Sequence, residues 1–531
     1  MYIDVVPNRS SPPAILLRES IREGNTIRKR TLANLSHWAP ERVEALRRAL
    51  RGEFDQGGAP EPVCGPVFGV LYALKQGADE VGITSALGKS PRGKLALFLT
   101  LARVAHQGSR LSAVRWAKDH AVAEVLGVSE FDEDELYKAL DAVAKRQDQI
   151  EQRLYKRYVK KHGGAPALFL YDVTSSYLEG EQNELGEFGY NRDGKRGKQQ
   201  IVFGLLTDGE GEPLAVRVFA GNTADPSTVP EQIELLKQRF KVQEAVVVGD
   251  RGMIKSAGKQ ALAAARLRYI TALTDPQIRK LLKRGTLQLE WFQETVGEVE
   301  AQGRRYILRK NKAQARQEHR RLADKLTKLQ ARMEARNAHV AHSPRCQPEA
   351  GLRQLKEWSK RHKLSVFVTL KLENTQIQLQ LDAAARDKAM ELAGCYVIET
   401  DVPKELLDAQ AVHDRYKDLA GVERDLRTLK TGLLEVRPVF VRKERRTRGH
   451  VFICMLALKL SRELQKRLSA AFGTTATNPH GVTLKDALAA LSRLCLMTYR
   501  VNASSTLTRL PHPDEEQTSI LEALRVSLPR R

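Results

Sequence analysis

The sequence predicts an α/β fold: a mixed sheet with flanking helices, interrupted by a β-rich and helical insertion and preceded by a mostly helical N-terminal domain. Three observations predict it. Apolar, β-branched segments alternate with amphipathic ones from Pro166 to about residue 275; a stretch to about residue 400 breaks that pattern; helical spacing returns from Lys404. With 531 residues, 42% of them hydrophobic, the chain can bury a sizeable core and form more than one domain.

In order, AILLRES and TIRKRTLANL read as two strands joined by a turn at Glu23-Gly24-Asn25. Residues 40–160 read as helices, so 1–160 is taken as one mostly helical domain. PALFLYDVTSSYL is an apolar strand, and GKQQIVFGLLTDGEGEPLAVRVFAGNT a hairpin turning at Asp208–Gly211. TVPEQIELLKQRF is an amphipathic helix, VQEAVVVGD a strand buried on both faces, SAGKQALAAARL a helix and RYITALT a strand. This β-β-β-α-β-α-β order matches a ribonuclease-H-like core, with its first part at 161–275 and its second at 401–470. Residues 276–400 read as an insertion containing possible strands, a basic helix at 312–336 and a His/Ser/Pro stretch near 339–348. Residues 471–531 read as a helical tail and possible dimerisation element. There is no internal repeat.

Net charge is +23 and the pI about 9.8, which favours a polyanionic partner because neutralised phosphates release condensed counterions. No run of 18 apolar residues exists, so no membrane span or membrane partner is expected. The first residues lack a basic segment followed by an apolar one, and Cys64, Cys346, Cys395, Cys454 and Cys495 form no CxxC pair. A cytoplasmic location without a zinc or disulfide framework follows as the expectation.

Three acids stand out. Asp172 interrupts an apolar strand and Asp250 ends another; a carboxylate there is costly unless paired or metal-bound. Alone, each reads as a turn or cap residue. Two on neighbouring strands of one sheet point to a site, since ligands gather at strand carboxyl ends. In DRYKDLAGVERDLRTLKTGLL, Leu419, Val422, Leu426, Leu429 and Leu433 form a buried stripe. Glu423, Arg427 and Lys430 share a face beside it. Glu423 alone reads as a solvated residue, but this helix can bring its acid to the sheet.

The spacing Tyr416-x2-Leu419-x3-Glu423-x6-Lys430 resembles the Y-x2-R-x3-E-x6-K signature of DDE transposases of the insertion-sequence-four superfamily, with Leu419 in place of the Arg. YDVTSSYLEG, GLLTDGEGEPLAVRVFAGNTAD with its turn at 221–225, VVVGDRGM and the helices over 422–460 resemble further parts of that family. RESIREGNTIRKRTLANLS is similar to the opening of its sixteen-thirty-four group. The resemblance implies a metal triad of Asp172, Asp250 and Glu423, spaced by 78 and 173 residues, the second interval being long because the insertion lies within it. Oxygen-only ligands select hard cations, so two Mg²⁺ or Mn²⁺ ions are implied, which would assist hydrolysis at the element's ends and strand transfer into target DNA. The implied partners are double-stranded DNA, as terminal inverted repeats and as target, and a second copy of the chain in a synaptic complex. Residues 1–160 would bind the ends.

Basic runs flank the proposed site. Residues 301–345 hold 13 Lys/Arg against 3 Asp/Glu, and 437–448 hold six Lys/Arg. A charge run is commonly a solvated face; here DNA contact is expected from Arg427, Lys430, Arg446 and Arg448, with Tyr416 buttressing the site or stacking on DNA. Trp291 is a candidate for holding a flipped base, against ordinary core packing. His450 is either near the site or a hydrogen-bonded structural residue. Gly82 to Ser90 mimics a P-loop, but five residues separate the glycines and no strand precedes them. The rival readings are a catalytically inactive, transposase-derived DNA-binding protein and a ribonuclease-H-like nuclease without strand transfer.

Overall fold

The computed structural model describes the chain apart from residues 10, 24–25, 54–61, 344–346, 433, 438, 474–480, 501–505 and 530–531. The expected turn residues Gly24 and Asn25, together with Leu433, Cys346 and part of the 339–348 stretch, lie outside the described residues. Two compact units result: residues 1–69 with 492–514 and 528–531, and residues 70–491 with 515–527.

In the smaller unit, Ala14–Glu23 and Thr26–Asn34 pair antiparallel as expected, and Tyr2–Val6 adds a third strand that local patterning did not suggest. A second sheet joins Pro62–Val67 to Cys495–Arg500 and Thr506–Arg509. Those last two strands come from a stretch whose sequence suggests only helix.

The larger unit is built on an eight-stranded mixed sheet. Its strands are β1 (Leu168–Tyr177), β2 (Gln200–Asp208), β3 (Pro213–Ala220), β4 (Val246–Gly249), β5 (Arg268–Ala272), β6 (Gly297–Ala301), β7 (Arg304–Lys310) and β8 (Cys395–Thr400), in the spatial order β6-β7-β8-β5-β4-β1-β2-β3. β1, β4 and β5 run parallel and all other pairs antiparallel. The strands expected up to residue 275 form as expected. Strands β6, β7 and β8, from the stretch that does not continue the alternation, extend the same sheet. Every residue of β2 is buried, as its continuous apolar run requires. Gly204 sits under the Tyr171 ring, where a Cβ would meet the phenol oxygen at 2.3 Å, so only glycine fits beneath that fully buried side chain.

Seven helices position the site or extend the sheet's supports: α1 (Glu133–His162), α2 (Ser256–Ala264), α3 (Lys312–His342), α4 (Pro348–Arg361), α5 (Ala409–Lys417), α6 (Leu419–Lys430) and α7 (Glu444–Phe472). The single helix expected over 414–434 is two, α5 and α6, parted at Asp418. Helix α1 is clamped to β3 by a buried ion pair, Glu151 with Arg217, with two N–O distances of 2.8 Å. Among the described residues, no helix is long and apolar enough to cross a membrane.

Candidate active site

β1 and β4 carry the first two acids to one level of the sheet. Their parallel register pairs Tyr171 with Gly249, so the next residues, Asp172 and Asp250, stand side by side. Alternation along β1 sends Tyr171 into the core and Asp172 to the opposite face. Helix α6 packs on β1 through Leu419, Val422, Leu426 and Leu429, all buried, and leaves Glu423 exposed beside that face. A cleft of about 660 Å³ is lined by Asp172, Asp250 and Glu423, and also by Arg427, Lys430 and Arg437.

The electrostatics follow from this crowding. Burial pushes the Asp172 carboxyl up to about 7; the negative charges of Asp250 and Glu423 add to the rise, while the Val173 N–H donating to Oδ1 at 2.8 Å and the Arg192 guanidinium oppose it. Asp250 is fixed by Tyr416 of α5, whose hydroxyl donates to Oδ1 at 3.0 Å. Burial and that carboxylate hold the Tyr416 phenol above its ordinary range. Lys430 donates to Thr174 Oγ1 at 3.1 Å and pairs with Asp193 at 2.6 Å; burial lowers its pKa against the pull of Asp193.

Carboxylate oxygens alone suit hard divalent cations, and three acids facing one cleft need neutralising charge. Among the described residues, no three His, Cys, Asp or Glu side chains are gathered tightly enough to make a ready-built metal cage. As all-oxygen donors Asp172, Asp250 and Glu423 fit such ions in kind, but they are set around the cleft rather than closed on one point.

Residues 163–460 match the family model of the transposase DDE domain, and residues 3–62 that of the IS1634 family transposase N-terminal domain. The chain belongs to the DDE transposase family. Among solved structures the transposase is similar to a piggyBac transposase synaptic complex with hairpin DNA, at 10% identity over 77% of this chain and 79% of that one, with a TM-score of 0.34. It is also similar to a pre-cleavage Mos1 transpososome, at 10% identity over 44% and 68% of the two chains, with a TM-score of 0.15. No curated relative matches.

The remaining candidates separate by position. Arg427 lines the cleft of the transposase and is exposed. Arg446 and Arg448 are not among the cleft residues. Arg446 lies over the Tyr137 ring and pairs with Asp141 at 3.4 Å; Arg448 donates to Val218 O at 2.6 Å and pairs with Glu444. Trp291, 38% exposed in a short 3₁₀ turn, does not line the cleft either. His450 is buried within α7: Nδ1 accepts from Arg110 at 3.2 Å and Nε2 donates to Val436 O at 3.2 Å, which makes it a structural histidine. Sequence reasoning missed Arg192 and Asp193, which line the cleft from a polar segment without periodicity. It also assigned no role to Asp225 of the 221–225 turn, both of whose carboxylate oxygens accept from Arg192 at 2.6 Å.

Proposed function

We propose that this transposase nicks the ends of its insertion sequence and joins them to target DNA, with Asp172, Asp250 and Glu423 as the acids of the reaction. The observation that carries the reading is the meeting of these three carboxylates, from β1, from the end of β4 and from α6, on one cleft that Arg192, Arg251, Arg427, Lys430 and Arg437 also line. The three acids would hold two Mg²⁺ or Mn²⁺ ions. When bound, such ions supply Lewis-acid stabilisation of phosphoryl oxygens and ease deprotonation of the attacking hydroxyl.

The chain's own side chains do the rest. Tyr416 keeps Asp250 oriented. Lys430 and Arg427 neutralise DNA phosphates and hold the strand in the cleft. In the first step water attacks phosphorus and the strand's 3′-oxygen leaves, which frees a 3′-hydroxyl. In the second that hydroxyl attacks a target phosphodiester, forming one P–O bond as another breaks. The partners are the element's inverted repeats, bound through residues 1–160, target duplex, and a second copy of the chain that brings the two ends together, in the cytoplasm of the host cell.

Purified protein with Mn²⁺ and DNA bearing the element's own ends tests this. Glu423→Gln should cut at least about a thousandfold more slowly than the unaltered chain while binding the ends as well. Cleavage persisting in that variant would reject the assignment. Nicks without joined products would favour the nuclease reading, and binding without cleavage by the unaltered chain the non-catalytic one.

A further inference from the structure

The cleft contains two carboxylates that cleavage and joining do not use, Asp193 and Asp225. Asp193 lies between β1 and β2 with its side chain 1% exposed. Lys430 Nζ stands 2.6 Å from Oδ1, the Arg437 guanidinium pairs with the same oxygen, and the Tyr177 N–H donates to Oδ2 at 3.0 Å. Arg437 is brought there by backbone pairing next to it: Val439 N–H donates to Tyr177 O at 3.2 Å and Glu179 N–H to Val439 O at 3.1 Å.

One carboxylate shared by two cations leaves one net positive charge. The neighbouring pair differs, for among the described residues Arg192 has Asp225 to itself. Lys430 and Arg437 both line the cleft, with side chains 12% and 22% exposed, so each keeps a face towards it. Lys430 is also held by Thr174, two residues along β1 from Asp172 and on the same face, about 7 Å away by strand rise. Two cations this close repel unless an anion lies between them, and a phosphodiester can take a fork of Arg and Lys donors without those side chains having to be ordered first.

We propose that Lys430 and Arg437, held together by Asp193, form a preassembled subsite for the DNA phosphate next to the reacting one, and that Asp193 is its positioning residue. The proposal rests on the reading of the chain as one that acts on DNA.

Methylphosphonate scanning tests it, using the full chain and duplexes of the element's end in which single phosphates near the scissile one are made neutral. With the unaltered chain, one position beside the scissile phosphate should weaken binding about tenfold. Arg437→Gln should weaken binding of the all-phosphate duplex about tenfold and lower the slope of log K against log salt by about one. The sensitive methylphosphonate should then cost nothing more. Asp193→Asn discriminates further, because it adds positive charge to the cleft. An acid that merely lies near DNA would, when neutralised, leave binding tighter and the rate unchanged. A positioning acid gives no gain in affinity, single-turnover cleavage about tenfold slower at saturating DNA, and partial rescue by Asp193→Glu. Additive losses from Arg437→Gln and the methylphosphonate, or tighter binding with undiminished cleavage in Asp193→Asn, overturn the proposal. If Asp193→Asn does not fold, the Arg437→Gln and methylphosphonate arm decides alone. If the unaltered chain binds ends but does not cut, the reaction reading fails while the binding arms still decide this one; no binding at all overturns both.

Discussion

Tyr416 occupies the first position of the motif through which the sequence resembles its family, and its hydroxyl is spent on Asp250 at 3.0 Å. That hydrogen bond fixes the orientation of the Asp250 carboxylate. Tyr416→Phe removes one hydrogen bond to a charged group, worth roughly 1 kcal/mol or somewhat more, so cleavage should slow about five- to tenfold. The salt dependence of end binding should stay as it was; a lower slope would make Tyr416 a phosphate contact instead. His450 tests the same scale by pH. Its Nδ1 accepts from Arg110, which can only donate, so the folded ring is neutral, and burial beside Arg110 and Arg103 drives its pKa well below 6.5. The unfolded chain protonates this ring near pH 6.5 and the folded chain does not. Its contribution is therefore present above that pH and lost as pH falls, with a slope approaching about 1.4 kcal/mol per unit. His450→Gln should flatten the acid limb of the stability curve relative to the unaltered chain in denaturant titrations between pH 7 and 5. Parallel curves would mean that the ring is protonated in the fold. In the sequence His450 was equally compatible with a site and a structural role, and the charge run at 437–448 gave no sign that Arg437 turns to the cleft while Arg446 and Arg448 pack on Tyr137 and Val218. Charge counts along a chain do not say which way each side chain faces.

At the scale of elements, the readable parts were those with local periodicity. β1 and β4 announce themselves as apolar runs broken by one acid each, and α6 by its leucine stripe, so the pieces that carry Asp172, Asp250 and Glu423 could be found without coordinates. β8 could not: it pairs with β7, which ends at Lys310, and with β5, which ends at Ala272, although it begins only at Cys395, and no local pattern encodes partners so distant. Nor does the polar segment holding Arg192 and Asp193 carry any period. The clamp between α1 and β3 was equally invisible, since in the sequence Glu151 is one more acid in a helix dense with charges. Its energetics are testable. Arg217→Met strands the Glu151 carboxylate, 1% exposed, against Gln147 and the Val216 N–H alone, which should cost about 3–5 kcal/mol in urea unfolding. Adding Glu151→Leu should recover most of that loss. A single variant within about 1 kcal/mol of the unaltered chain would show that water reaches the pair.

For the whole molecule, the sheet and its cleft are separable from the lobe that interrupts them. Between β7 and β8, α3, α4, the hairpin Val368–Glu373 with Gln376–Leu381, and the helix Ala383–Met390 enclose a core of their own around Leu329, Leu355, Phe367 and Ile377. Residues 312–393 carry 17 Lys/Arg against 9 Asp/Glu, a net +8 of the chain's +23, and much of α3 is exposed. The lobe leaves and rejoins the sheet at one point: Lys310 is the register partner of Cys395, and the Asn311 N–H donates to Gly394 O at 2.8 Å. Excising 312–393 would join Asn311 directly to Gly394, whose φ is already +71°, and Asn-Gly is the dipeptide that a two-residue hairpin favours. The shortened chain should therefore fold cooperatively. It should melt lower, because Leu392 leaves the core beside Leu273 and Val397, a loss of about 2–5 kcal/mol. If α3 lies along DNA, end binding should weaken with a salt slope smaller by several units, since each lost phosphate contact removes about one, while cleavage at saturating DNA continues in the intact cleft. An unchanged slope would mean that the lobe's charge faces solvent. Failure to fold would mean that β7 and β8 need the lobe to find one another, and that the long interval before Glu423 is part of how the site is assembled.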